Sequence, residues 1–154
     1  MLLIHPITMN QLRSAVQHSE EEQCGFLIGI EHGNSRTVTE IMPVENVSPL
    51  NKKKTFEISP DDYIRAEKYS EENKLQLIGI YHSHINYPAI PSEYDRVAAQ
   101  PYFSYVILST TNRNVDAIRS WTINSDFQFE EEQISITNIN QHIHGYRNHP
   151  NSAA

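Results

Sequence analysis

His82-Ser83-His84-Ile85-Asn86-Tyr87-Pro88-Ala89-Ile90-Pro91-Ser92-Glu93-Tyr94-Asp95 is the stretch on which the reading of this 154-residue chain turns. The apolar residues before it, 75–81, predict a strand leading into the histidines. In an extended chain, residues two apart face the same way, about 6.5–7 Å apart. His82 and His84 can then both address one cation at about 2.0–2.1 Å from each ring nitrogen. After a proline-punctuated loop, Ser92 opens a helix that carries Asp95 in its first turn and ends near residue 101. The returning chain makes Asp95 the natural third ligand. Two imidazoles and a carboxylate leave a zinc ion one open position, which catalytic sites keep for water and structural sites close. Each piece has a plainer meaning alone, since His-x-His is common and Ser-x-x-Asp is an ordinary helix start.

Working outward, Cys24-Gly25-Phe26-Leu27-Ile28-Gly29-Ile30 is a short apolar run between polar flanks, which predicts a buried strand. His32-Gly33-Asn34-Ser35 predicts a turn, and the β-branched residues 37–44 a second strand paired back as a hairpin. Residues 55–58 alternate like a third strand. Upstream, Thr8 can cap a helix running to about residue 18, with Met9, Leu12 and Val16 on one side. Ser59-Pro60-Asp61-Asp62 is a strong helix start, with a capping serine, proline at the first helical position and acids in the first turn; this helix is expected to reach about residue 73. Residues 105–109, 115–123 and 127–136 read as later strands. The order predicts an α+β fold, one domain over residues 1–136 with helices packed on a sheet. Residues 137–154 are rich in Asn, His and Ser without apolar period and are expected to form a loose tail. His142-Ile143-His144 lies in that tail with no nearby carboxylate, and is read as solvated.

Composition narrows the function classes. Twelve basic against nineteen acidic residues give a net charge of −7, which disfavours non-specific nucleic-acid binding. The single cysteine, Cys24, excludes an intrachain disulfide and the common structural zinc sites built on two or more thiolates. Cys24 itself reads as a small core residue. No apolar run approaches the roughly 18 residues of a membrane span, and the N-terminus does not read as a signal peptide. The expectation is a soluble, cytoplasmic protein.

With its spacing included, the segment resembles the JAMM motif of MPN-domain (JAB) metalloproteases: His-x-His, seven residues, Ser, two residues, Asp. His82, His84, Ser92 and Asp95 stand at those positions. Glu22-Gln23-Cys24-Gly25 resembles the family's upstream strand and its leading glutamate, and the likeness extends over residues 1–136, with a mixed, mostly antiparallel sheet flanked by helices. The resemblance implies zinc on His82, His84 and Asp95, Glu22 as the proton carrier and Ser92 as support for the developing oxyanion. It departs at Ile85, where the family usually has proline, and the chain has no room for long ubiquitin-recognising insertions. It resembles the compact bacterial form, which implies hydrolysis after the C-terminal Gly-Gly of a ubiquitin-like sulfur-carrier protein. The alternatives are a deubiquitinase-like isopeptidase acting on lysine conjugates and a non-catalytic MPN scaffold. A homodimer is left open.

Overall fold

Proline places the first helix. The computed structural model describes residues 1–137, and in it Pro6 occupies the first turn of α1 (Pro6–Val16), just after a short strand, β1 (Leu2–Ile4). The cap is therefore His5 rather than Thr8: its Nδ1 accepts the Ile7 N–H at 3.2 Å. Pro6 has the fixed φ and missing N–H that suit a first helical position, so the helix starts two residues before the hydroxyl expected to cap it. Thr8 is buried inside α1, its hydroxyl donating to the Thr39 carbonyl.

The chain continues through β2 (Cys24–His32), β3 (Ser35–Val44), α2 (Pro60–Glu72), β4 (Gln76–Ile85), α3 (Glu93–Ala98), β5 (Ser104–Thr111), β6 (Asn114–Ile123), β7 (Phe129–Glu132) and β8 (Ile134–Ile136). The hairpin from β2 to β3 turns at Gly33, whose φ of 57° is open to glycine without strain. Ser59 caps α2 as the sequence predicts, accepting the Asp62 N–H. The expected strand over residues 55–58 is absent. Its polar groups are used locally instead: Thr55 N–H donates to the Asn51 carbonyl, Glu57 N–H to Asn46 Oδ1, and the Glu57 carbonyl accepts from Val47.

The eight strands form one mixed α+β sheet, ordered β7-β6-β5-β4-β2-β3-β1-β8, with most pairings antiparallel. The last expected strand, 127–136, is two. β7 pairs with β6 at one edge, and β8 pairs in parallel with β1 at the other. Consecutive strands at opposite edges require the sheet to curl until the edges meet at Gln133, whose carbonyl accepts the Leu2 N–H at 2.8 Å.

Two apolar clusters cover the two faces. One joins α1 residues Leu12 and Val16 to Leu27, Tyr81 and Leu108, and the other joins α2 residue Ala66 to Phe26, Ile80 and Tyr105. A register shift opposite Leu27 and Ile28 lets Ile78 join the first cluster while Leu77 and Ile80 join the second. Beyond that shift, alternation sends Ile80, His82 and His84 to the α2 face. β4 and β5 run parallel, and parallel neighbours need a crossover. Residues 86–103 supply it, and α3 within them returns over the end of β4. Among the described residues, no helix is long and apolar enough to cross a membrane.

Candidate metal centre

Strand alternation brings His82 and His84 to one face, and the crossover brings Asp95 to them. His82 Nε2 lies 3.1 Å from His84 Nε2 and 3.2 Å from Asp95 Oδ1, and His84 Nε2 lies 3.3 Å from Asp95 Oδ2. All three side chains are buried. Donor atoms at about 2.0–2.1 Å from a tetrahedral centre lie about 3.3–3.4 Å apart, so this triangle fits a zinc-sized ion. These residues can hold a metal ion.

Neighbouring groups fix the orientation of each donor. His84 Nδ1 donates to the Pro88 carbonyl at 2.7 Å, because a carbonyl can only accept; Nε2 is therefore the nitrogen left to face the cluster. The His82 ring stacks on Phe56 at 4.3 Å, and its Nδ1 has no hydrogen-bond partner among the described residues. Asp95 Oδ2 accepts the Ser92 N–H at 2.8 Å, while Ser92 Oγ accepts the Asp95 N–H at 3.2 Å, a reciprocal helix cap. Burial opposes ionisation of Asp95, but His82 and the hydrogen bonds from His82, His84 and Ser92 outweigh it and hold the carboxyl well below its usual range. Burial also opposes charging of His84, yet Asp95 and the Pro88 carbonyl push its pKa up.

Glu22 approaches from the start of β2. Its backbone is locked on both sides: its N–H donates to the Lys52 carbonyl at 2.8 Å, and its carbonyl accepts from Asn46 Nδ2 at 3.0 Å. The side chain is buried, which raises the carboxyl to about 8; His84 opposes that rise and Asp95 adds to it. Glu22, His84 and Ser92 line one cavity of about 390 Å³ together with Lys53, Lys54, Ile85, Tyr87 and Tyr94. Glu20 and Glu21 do not line it. Cys24 is buried beside His82 in register, and burial, with Glu22 and Asp62 adding, pushes its thiol up to about 12. It is a packed thiol, not an activated one. His142 and His144, like the expected tail, lie outside the described residues.

The model of the prokaryotic homologs of the JAB domain matches residues 6–124. The chain belongs to this family. Among its curated relatives, a Pyrococcus furiosus protein named "Desampylase" is 34% identical over 94 residues, covering 61% of this chain and 63% of the relative. A Haloferax volcanii protein of the same name is 33% identical over 93 residues, covering 60% of this chain and 65% of the relative. A Thermus thermophilus "Probable TtuB-protein conjugate cleaving protease" is 34% identical over 90 residues, covering 57% and 55%. The matches thus span less than two thirds of these relatives' length. A solution structure of a Desulfitobacterium hafniense protein superposes with a TM-score of 0.78 at 27% identity, covering 90% of this chain and 94% of that one. One from Salinibacter ruber gives 0.67 at 31% identity, covering 88% and 91%.

Within this JAB-family site, sequence reasoning missed the groups that act through the backbone. Asn46 is buried and makes four hydrogen bonds: Nδ2 to the Glu22 and Thr55 carbonyls, and Oδ1 from the Ser48 and Glu57 amides. Nothing in the local pattern marks it, since its partners come from three separate segments. Phe56 belongs to the expected strand of residues 55–58 and instead serves as the stacking surface for His82.

Proposed function

We propose that this chain is a zinc-dependent peptidase or isopeptidase that hydrolyses the bond after the C-terminal Gly-Gly of a ubiquitin-like sulfur-carrier protein. The observation that carries the reading is the convergence of His82, His84 and Asp95 beside a cavity lined by buried Glu22 and half-buried Ser92. The names of the relatives, two of them desampylases and one a conjugate-cleaving protease, support a ubiquitin-like partner.

In this reading His82, His84 and Asp95 hold zinc. When bound, zinc supplies a Lewis acid and lowers the pKa of water at its open position. Glu22, on the cavity beside His84, is placed to accept a proton and return it to the leaving amine; a bound cation would offset the burial that raises its carboxyl in the metal-free chain. Ser92 Oγ accepts from Asp95 but donates to no described residue, so its proton is available to a developing oxyanion. The burial of Glu22 and the three ligands keeps these exchanges away from bulk water.

A second reading, favoured by the relative named for conjugate cleavage, has a lysine side chain as the leaving amine. The test uses two substrates, a carrier extended by a short peptide past Gly-Gly and the same carrier joined to a lysine side chain, each followed by mass spectrometry. Zinc-loaded protein should release the carrier ending in Gly-Gly, and chelated protein should not. Cleavage of neither substrate would sink the proposal.

A further inference from the structure

The loop between β4 and α3 must hold the Pro88 carbonyl still, because that carbonyl selects the His84 tautomer. Its own connections are sparse. Asn86 has a φ of 53° and donates to the Thr110 carbonyl at the loop's start. Among the described residues, two hydrogen bonds tie residues 87–91 to the rest of the chain. One is His84 Nδ1 to the Pro88 carbonyl at 2.7 Å, and the other is Trp121 Nε1 to the Ala89 carbonyl at 3.0 Å. Ile90 N–H also donates to the Pro88 carbonyl, within the loop.

Trp121 is itself anchored. It stands on β6, paired with Tyr105 on one side and Glu131 on the other. The Arg119 guanidinium lies 4.8 Å from its ring centroid and forms two hydrogen bonds to Glu131 at 2.8 and 2.6 Å. The bidentate ion pair fixes Arg119, and its guanidinium holds the indole by a cation–π contact. Two successive peptides carry the two contacts: Trp121 grips the Ala89 carbonyl, and the preceding carbonyl, of Pro88, meets His84. Ala89 is buried beneath the indole's reach.

We propose that Trp121 is a positioning residue for the metal centre. Its indole N–H holds the Ala89–Ile90 peptide, and through it the neighbouring Pro88 carbonyl, so that His84 Nδ1 keeps its acceptor and Nε2 faces the cluster. The inference rests on the reading of His84 as a zinc ligand. Loss of a group orienting a ligating histidine typically weakens metal affinity about 10–100-fold. Trp121 acts one peptide further away, so an effect near the lower end, about tenfold, is expected.

Trp121 is the chain's single tryptophan, so replacing tryptophan globally changes this residue alone. Two variants are compared with the native protein: Trp121→Phe, and incorporation of the benzothienyl analogue of tryptophan, which keeps the bicyclic shape and lacks the N–H donor. Zinc affinity is measured by competition with a chromophoric chelator, and the His84 tautomer by ring ¹⁵N shifts in the metal-free protein. Both variants should bind zinc about tenfold more weakly, and both should lose Nδ1–H population at His84, while the analogue keeps the native melting temperature. Native affinity and native tautomer in the analogue would overturn the proposal, even if Trp121→Phe were impaired, because packing alone would then explain that variant. If native protein takes up no zinc but the tautomer still follows Trp121, the zinc reading fails and the positioning role stands.

Discussion

Ser92 and Asp95 cap each other, and the Asp95 oxygen that accepts the Ser92 N–H at 2.8 Å is the one lying 3.3 Å from His84 Nε2. A helix cap and a contact within the His82, His84 and Asp95 cluster thus share one atom. Removing the Ser92 hydroxyl should loosen the start of α3 and the carboxylate together. Ser92→Ala should lose about 0.5–2 kcal/mol of stability, as N-cap serines typically do. Turnover should fall further, by about 10²–10³-fold if the hydroxyl also supports the oxyanion. Thermal melts beside single-turnover rates of zinc-loaded protein test this; a rate loss no larger than the loss of zinc occupancy would leave Ser92 only a capping role.

Asp95 contributes the one carboxylate of the buried donor triangle. Purified protein should contain close to one zinc per chain, and Asp95→Ala should lose most of it. Metal analysis after dialysis reads the result directly. Undiminished zinc in Asp95→Ala would remove this residue from the centre.

Glu22→Gln preserves the side chain's shape but cannot carry a proton. The variant should keep its zinc and lose about 10²–10⁴-fold in turnover. Glu20 and Glu21 are controls from the same acidic run, and their glutamine variants should cleave at near-native rates. Single-turnover cleavage of a Gly-Gly-extended carrier compares all three, and native turnover by Glu22→Gln would show that the base is misassigned.

The same carboxylate predicts how metal-free protein responds to pH. Burial raises Glu22 from 4.5 to about 8, so folding favours its protonated form. That contribution is complete below about pH 4.5 and is lost as pH rises through about 8. His84, also raised, adds a decline of the same sign. Asp95 has the opposite sign: held below its ordinary 3.8, it stabilises above that value and loses its contribution on stronger acidification. The melting temperature of chelator-treated protein should therefore fall between about pH 5 and pH 8, and Glu22→Gln should reduce the slope. An identical slope in the variant would mean that Glu22 is not buried as an acid.

Truncation separates the closing strand from the tail. A chain ending at Thr137 should keep zinc binding and cleavage of a small substrate, whereas one ending at Glu132 loses β8 and leaves β1 with an open edge. The shorter form should melt at lower temperature. Loss of activity in the chain ending at Thr137, with its fold retained, would assign residues 138–154 a part in the site.

Much of the candidate site was legible because its signals are local. Alternation puts His82 and His84 on one face, Ser92 and Asp95 satisfy a helix start three residues apart, and Ser59-Pro60 fixes the opening of α2. The hairpin of β2 and β3 followed from two β-rich runs around Gly33. The misplaced cap of α1 was also a local matter, where the backbone geometry of Pro6 outranked the side-chain preference of Thr8.

By itself, the sequence determined which residue types could gather around a cation and in what order the elements run, since both depend on short-range periodicity and capping chemistry. Only the tertiary structure decided that β7 and β8 part to opposite edges, that Asn46 ties Glu22 to the loop of residues 46–57, and that Trp121 reaches Ala89 across 32 residues. The reason is physical: each of these contacts satisfies a backbone group with a partner distant in the chain. Which partner is within reach depends on how the curled sheet folds back on itself, not on the residues that flank either group.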